Sequence, residues 1–301
     1  MAGTITKNYL YDAFGNEQTG AADTNPFRYA GEYFDTESGN IYLRNRYYDA
    51  STGRFITEDP IRDGTNWYAY ANNNPIMYID PWGLAPSVME AAEMANHIYN
   101  YDMSSTKEDR TIAGWRLIDV WYGRESMKMG FYIRDDDNWE NPSEYVIVFM
   151  GTPMTDLTAW KNNIEQGIGT TSADTWDAIN YAAGFVSDIG NIEVTFVGHS
   201  KGGQEARSAA LRTNKAAIVF NPAAVNVTGY GLSTDNYTAN MQSFIVDGDI
   251  LDVLNKGFVK INGDLKIIPA GSRINLPSDN WNPVSKHFME EVFKGLKKQG
   301  Y

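Results

Sequence analysis

The sequence contains no cysteine, which excludes disulfides and thiolate metal sites together. Positive charge is scarce as well: 25 Lys and Arg stand against 38 Asp and Glu, a formal net charge of −13. The basic residues are scattered, so the basic face that a nucleic-acid binder needs is missing. The same deficit argues against strong unassisted docking on anionic membranes. No run of about 18 apolar residues occurs, so no membrane-spanning helix is expected. Residues 1–7 lack a charged region followed by an apolar core, so no ordinary signal peptide is read, and export would need a non-classical route. Histidine occurs only three times. Apolar residues are not in short supply: at 43%, they allow a 301-residue chain to bury one large or two modest cores.

The stretch Glu193-Val194-Thr195-Phe196-Val197-Gly198-His199-Ser200-Lys201-Gly202-Gly203 is the chain's most distinctive feature. A β-branched apolar run climbs to a glycine, presents one serine and leaves through two more glycines. Residues 204–212 then read as a helix, with Ala206, Ala209 and Ala210 on one face. Strand, sharp turn and helix around Gly-x-Ser-x-Gly is the layout of a nucleophile elbow. The helix N-terminus beneath such a serine favours the negative charge that forms in acyl transfer.

A serine hydroxyl needs a base, normally a histidine held by a carboxylate. His199 lies inside the turn and is expected to pack beneath it. His97 precedes the nucleophile, in a helix read over 85–101, and is expected at or near the surface. Only His287 satisfies the chain order serine, acid, histidine. The acid is expected where an apolar strand ends, in Val246-Asp247-Gly248-Asp249-Ile250-Leu251-Asp252. Asp249 leads there, with Asp247 and Asp252 as alternatives that shape the turn. Besides the Lys201 N–H, a second oxyanion donor is expected from Thr152, in the Gly-Thr turn that ends Val146-Ile147-Val148-Phe149-Met150-Gly151.

Two regions differ in texture. Residues 1–84 are crowded with Tyr, Asn, Asp and Gly, and combine aromatic strands with Asp- or Gly-bearing turns, as in Arg46-Tyr47-Tyr48-Asp49-Ala50-Ser51-Thr52-Gly53-Arg54-Phe55. Tyr47-Tyr48-Asp49-x-x-x-Gly53-Arg54-Phe55-Ile56-Thr57-Glu58-Asp59-Pro60, Asn66-Trp67-Tyr68-Ala69-Tyr70-Ala71-Asn72 and Asp80-Pro81-Trp82-Gly83-Leu84 resemble the closing segment of Rhs/YD-repeat proteins. That resemblance implies a repeat-associated core over 1–84, part of a β-shell completed elsewhere in a longer protein. It also implies aspartate-dependent self-cleavage at Leu84–Ala85, with Asp59 and Asp80 as the acid pair.

Residues 85–301 alternate strands and helices: strands over 115–122, 127–134, 144–150, 193–199, 216–220 and 242–246, and helices over 85–101, 155–167, 173–189 and 204–212. A hairpin is read over 256–269, and a last helix, capped by Ser285, with Phe288, Met289, Val292, Phe293 and Leu296 as its apolar face. The pattern predicts an α/β fold, a mixed sheet covered by helices. Asp135-Asp136-Asp137-Asn138 reads as a solvated turn, since the glycine and distal glutamate of a calcium loop are missing. No metal site and no cofactor are expected.

Phe149-Met150-Gly151-Thr152, Gly198-His199-Ser200-Lys201-Gly202-Gly203, Val246-Asp247-Gly248-Asp249-Ile250 and His287-Phe288-Met289, in that order, resemble the oxyanion, elbow, acid and closing segments of the lipase class 3 family. The resemblance implies an α/β-hydrolase fold over 85–301 and a serine esterase or lipase whose triad is Ser200, Asp249 and His287. Met150 stands where that family carries arginine, and Lys201 where it carries leucine. Lys201 puts a cation beside the nucleophile, which points to an anionic ester such as a phospholipid. Together the two resemblances imply a secreted or delivered toxic effector with a lipid or other ester substrate, transient membrane contact and a cognate immunity protein. The competing expectation is a repeat-derived interaction protein whose hydrolase domain is inactive; a protease or acyltransferase could also use the same elbow.

Overall fold

The computed structural model of the chain describes residues 8–18, 25–43, 46–58, 68–70, 86–124, 127–135, 137–140, 142–153, 171–190, 192–252 and 272–301. They belong to two units, Met1–Ala85 and Pro86–Tyr301.

In the first unit, four short strands form an antiparallel sheet in sequence order: β1 (Tyr33–Asp35), β2 (Asn40–Leu43), β3 (Arg46–Asp49) and β4 (Arg54–Phe55). Aspartates make the turns. Asp35 accepts the Glu37 N–H at 3.0 Å and the Ser38 hydroxyl at 2.8 Å; Asp49 accepts the Ser51 N–H at 2.9 Å, and Gly53 leaves that turn at φ 68°. The core is Ile41, Leu43, Tyr48, Phe55 and Tyr70, with the Tyr48 and Tyr70 ring centroids 3.9 Å apart and the Arg46 guanidinium 3.5 Å over Phe55. Asp59, Asp80 and Leu84, expected to support self-cleavage, lie outside the described residues.

The second unit is a lipase-like α/β fold built on an eight-stranded mixed sheet. Its strands are β5 (Thr111–Ile112), β6 (Trp115–Tyr122), β7 (Lys128–Arg134), β8 (Glu144–Phe149), β9 (Glu193–His199), β10 (Ala216–Phe220), β11 (Met241–Val246) and β12 (Ser272–Leu276). Their spatial order is β12-β11-β10-β9-β8-β7-β6-β5. Strands β8 to β12 run parallel, and β5 to β7 antiparallel. Among the described residues, four helices cover the sheet: α1 (Val88–His97), α2 (Ala173–Ile189), α3 (Lys201–Thr213) and α4 (Met289–Gln299).

The apolar runs of the central strands follow from burial on both faces. Val146, Val148, Val197 and Phe220 pack with α1 and α4, while Ile147, Phe149, Phe196 and Val219 pack with α2 and α3. Each such side chain, fully buried, contributes roughly 1.5–3 kcal/mol. Ser87 caps α1 in a reciprocal box with Glu90, and Glu90 also pairs with Arg134 at 2.9 Å, inside the α1 layer. Arg134 reaches Glu144 at 3.2 Å and lies 3.9 Å over the Trp115 ring. Among the described residues, no helix is long and apolar enough to cross a membrane.

The fold corrects three expectations. Ser285 does not cap the last helix: it opens a 3₁₀ turn, Ser285–His287, and α4 starts at Met289 with Phe288 in the capping position. His97 is buried, not superficial, because its ring bridges the Tyr132 hydroxyl at 2.9 Å and the Asp109 carbonyl at 2.7 Å. The edge strands β5 and β12 were not foreseen, since two residues, or five as polar as Ser272-Arg273-Ile274-Asn275-Leu276, carry too little apolar pattern. The helix expected over 155–167 and the hairpin over 256–269 lie outside the described residues.

Candidate active site

The carboxyl ends of the parallel strands gather the candidate residues. β9 ends at His199, and Ser200 turns the chain at φ 61° and ψ −125° before α3 begins. A non-glycine residue in the left-handed region is strained, and an elbow uses that strain to lift its side chain off the strand axis. The glycines around it are required by contact. A Cβ on Gly198 would come within 2.2 Å of the Gly202 carbonyl oxygen, and one on Gly202 within 2.1 Å of the Phe149 carbonyl oxygen. Ser200 is fully buried, and its Oγ has no hydrogen-bond partner among the described residues.

Two strands away, the turn after β11 sorts the three aspartates. Asp249 is buried; its Oδ1 accepts the Leu251 and Asp252 N–H groups at 2.9 and 3.2 Å, and its Oδ2 lies 2.7 Å from His287 Nδ1. Asp252 is gripped by Arg273 through two bonds of 2.6 and 3.0 Å. Asp247 is exposed, and its main-chain carbonyl accepts the Lys286 ammonium at 2.6 Å. His287 is fully buried, and the carboxylate on its Nδ1 orients the imidazole.

His199 lies under the turn, and its ring centroid is 4.8 Å from that of His287. Its Nε2 is 2.7 Å from the His287 carbonyl oxygen, and its Nδ1 is 2.9 Å from the Tyr99 hydroxyl. Burial, followed by the neighbouring His287, pushes the His199 pKa down to about 3, so the ring is neutral. Asn221, at φ 41° after β10, donates to the His287 carbonyl at 3.3 Å and to that of Lys286 at 3.1 Å, while its Oδ1 accepts the Val246 N–H at 2.8 Å. It thus ties the ends of β10 and β11 to the histidine turn.

The Lys201 side chain points elsewhere than its sequence position suggests. Its ammonium pairs with the buried carboxylate of Asp174, in the first turn of α2, and lies 3.7 Å from Glu205. Burial pushes the Glu205 pKa up to about 8, against the opposing pull of Lys201. The expected cation beside the nucleophile is therefore already paired with a carboxylate. Thr152 follows β8 at the same end of the sheet, half-buried, and the partly buried Met150 packs on the core. Among the described residues, no group of three His, Asp or Glu side chains is placed to hold a metal ion.

Sequence reasoning did not find Tyr99, Asn221, Asp174 or Arg273. Tyr99 acts across 100 residues of chain and Arg273 across 21, distances that no local pattern spans. Only Asn221 left a trace, as a polar residue directly after the apolar Ala217-Ile218-Val219-Phe220.

Several known proteins are similar to this chain. It is 40% identical over 115 residues to the putative uncharacterized protein YlbH of Escherichia coli, covering 36% of this chain and 49% of that protein. It is 45% identical over 91 residues to the tRNA nuclease WapA of Bacillus subtilis, 27% of this chain and 4% of WapA. It is 48% identical over 61 residues to the toxin protein Tse5 of Pseudomonas aeruginosa, 20% of this chain and 5% of Tse5. The chain thus spans about half the length of the first relative and a small fraction of the others. Solved structures with a similar fold include a deletion mutant of the Rhizomucor miehei lipase propeptide complex (TM-score 0.46, 12% identity, 64% of this chain and 66% of that one). A triacylglycerol lipase from Penicillium expansum is another, with TM-score 0.40 and 12% identity over 64% of this chain and 79% of that one. Residues 90–275 match a phospholipase-like family, and on that match the chain belongs to the Tle-like phospholipase domain family.

Proposed function

We propose that this phospholipase-like domain is a serine carboxylic-ester hydrolase in which Ser200, His287 and Asp249 act as nucleophile, base and orienting acid. The observation that carries the reading is the 2.7 Å contact between the buried Asp249 and His287, at the sheet end where the strained Ser200 also lies. Ser200 Oγ attacks the ester carbonyl as its proton passes to His287 Nε2, and Asp249 stabilises the imidazolium through Nδ1–H. The oxyanion accepts from the Lys201 N–H and from the Thr152 N–H and hydroxyl. The tetrahedral intermediate collapses, the alcohol leaves with the proton from His287, and water repeats the sequence to release the acid. Among the described residues Ser200 Oγ has no hydrogen-bond partner, and catalytic bonds of this kind tighten on substrate binding.

The substrate class favoured by family membership is a phospholipid. The sequence likeness to Tse5 supports a toxic effector, delivered to other cells and restrained by an immunity protein. Residues 1–84 then serve as an Rhs-type core segment, with Asp59 and Asp80 cutting the Leu84–Ala85 bond. The test is hydrolysis of a short-chain nitrophenyl ester and of phospholipid vesicles by wild type and Ser200→Ala. The reading requires both activities to vanish in the variant. Equal rates from the two proteins would reject it in favour of an inactive interaction module.

A further inference from the structure

The two ring nitrogens of His199 have different partners, and the partners fix the direction of every proton between them. The His287 main-chain carbonyl can only accept, so His199 Nε2 carries the hydrogen across the 2.7 Å contact. Nδ1 is then a lone pair, and the Tyr99 hydroxyl must donate to it across 2.9 Å. The Tyr99 hydroxyl also lies directly against Gly151. Gly151 has room for nothing else there: a Cβ on it would meet the Tyr99 hydroxyl at 2.3 Å and the His199 carbonyl oxygen at 2.6 Å.

We propose that Tyr99 and His199 are positioning residues that form a one-directional hydrogen-bond chain, Tyr99 to His199 to the His287 carbonyl, which, through the Tyr99 hydroxyl packed on Gly151, locks the oxyanion turn and the base turn to each other. This rests on the roles given above to Ser200, His287 and Thr152. The chain joins two segments that are separate in the sheet, the end of β8 and the 3₁₀ turn before α4. It also depends on a neutral His199: a protonated ring would carry hydrogen on both nitrogens and turn the Tyr99 contact from acceptor to donor. Burial opposes that protonation.

The experiment combines kinetics with a direct view of the protons. In nitrophenyl ester hydrolysis, Tyr99→Phe and His199→Phe should each lower kcat by about 10-fold or more with KM nearly unchanged, since misplacement of catalytic groups acts on the transition state. The double variant should be no slower than the worse single, because either change breaks the same chain. His199→Gln, which can still offer an N–H to the His287 carbonyl, should recover several-fold over His199→Phe. Singles whose effects multiply in the double variant, or a kcat close to wild type in both, would overturn the proposal. In ¹⁵N-labelled Ser200→Ala protein at neutral pH, His199 should appear as the Nε2–H tautomer, and the Nδ1–H tautomer would overturn it. The NMR result does not depend on turnover, so a chain lacking Ser200-dependent hydrolysis would sink the enzymatic reading and leave the hydrogen-bond chain decided by the tautomer.

Discussion

The two halves of the eight-stranded sheet bury charged groups in opposite ways. In the antiparallel half, Arg134 lies between Glu90 and Glu144 and against Trp115, so one cation meets two carboxylates and an aromatic face. Glu90 also closes the capping box of α1. In the parallel half, Ser200 Oγ is buried without a partner among the described residues, and Glu205 is buried with a raised pKa beside a lysine that already serves Asp174. The first arrangement holds a helix on a sheet. The second keeps hydrogen-bonding capacity in reserve, and an unsatisfied buried polar atom costs about 1–3 kcal/mol.

The sharpest way to break this comparison is to remove the nucleophile. Ser200→Ala should reduce ester hydrolysis by roughly 10³-fold or more while the thermal midpoint stays the same or rises; a large fall in the midpoint would show that Ser200 is structural. Asp249→Asn should follow, with a loss on the order of 10³–10⁴ in kcat, because Asn can present an N–H to His287 Nδ1 and force the wrong tautomer. The mirror experiment is Arg134→Met. It should cost about 3–5 kcal/mol in urea unfolding, since it strands two carboxylates inside the α1 layer, with kcat per folded molecule unchanged.

The smallest effect comes from Glu205→Gln. Glu205 stays protonated in the folded chain up to about pH 8 but ionises near its ordinary value of 4.5 when unfolded. The folded state therefore holds the extra proton, and wild-type stability falls as pH rises from 4.5 through 8. Glu205→Gln should flatten that slope and raise the thermal midpoint at pH 8 more than at pH 5. Unfolding curves at the two pH values check it, and an equal shift at both would mean Glu205 does not titrate as its burial dictates.

These contrasts explain what was readable beforehand. The alternation of β8 to β11 between two covered faces is written in consecutive apolar residues, and the elbow in glycines that tight contacts demand. With only three histidines, the contact of His287 with the strand-end aspartate was foreshadowed by chain order. Asp249 led among the three aspartates there; what the sequence did not show is the role of Asp252, which Arg273 claims from the neighbouring strand β12. The Lys201 side chain misled for the same reason: its partner, Asp174, sits on another helix. Local pattern sets layers and turns, whereas the pairing of charges is decided by what those layers bring together.

The turn after β11 also fixes an electrical balance. Among the described residues, the carboxylates of Asp252, Asp247 and Asp249 act on Arg273, and the Lys286 ammonium reaches the Asp247 main-chain carbonyl. In the proposed reaction, a proton taken up by the His287 imidazole would meet the Asp249 carboxylate across 2.7 Å. The proposed mechanism would thus find a counter-charge already in place when a new anion forms over the elbow, with no need for water to rearrange around either ion.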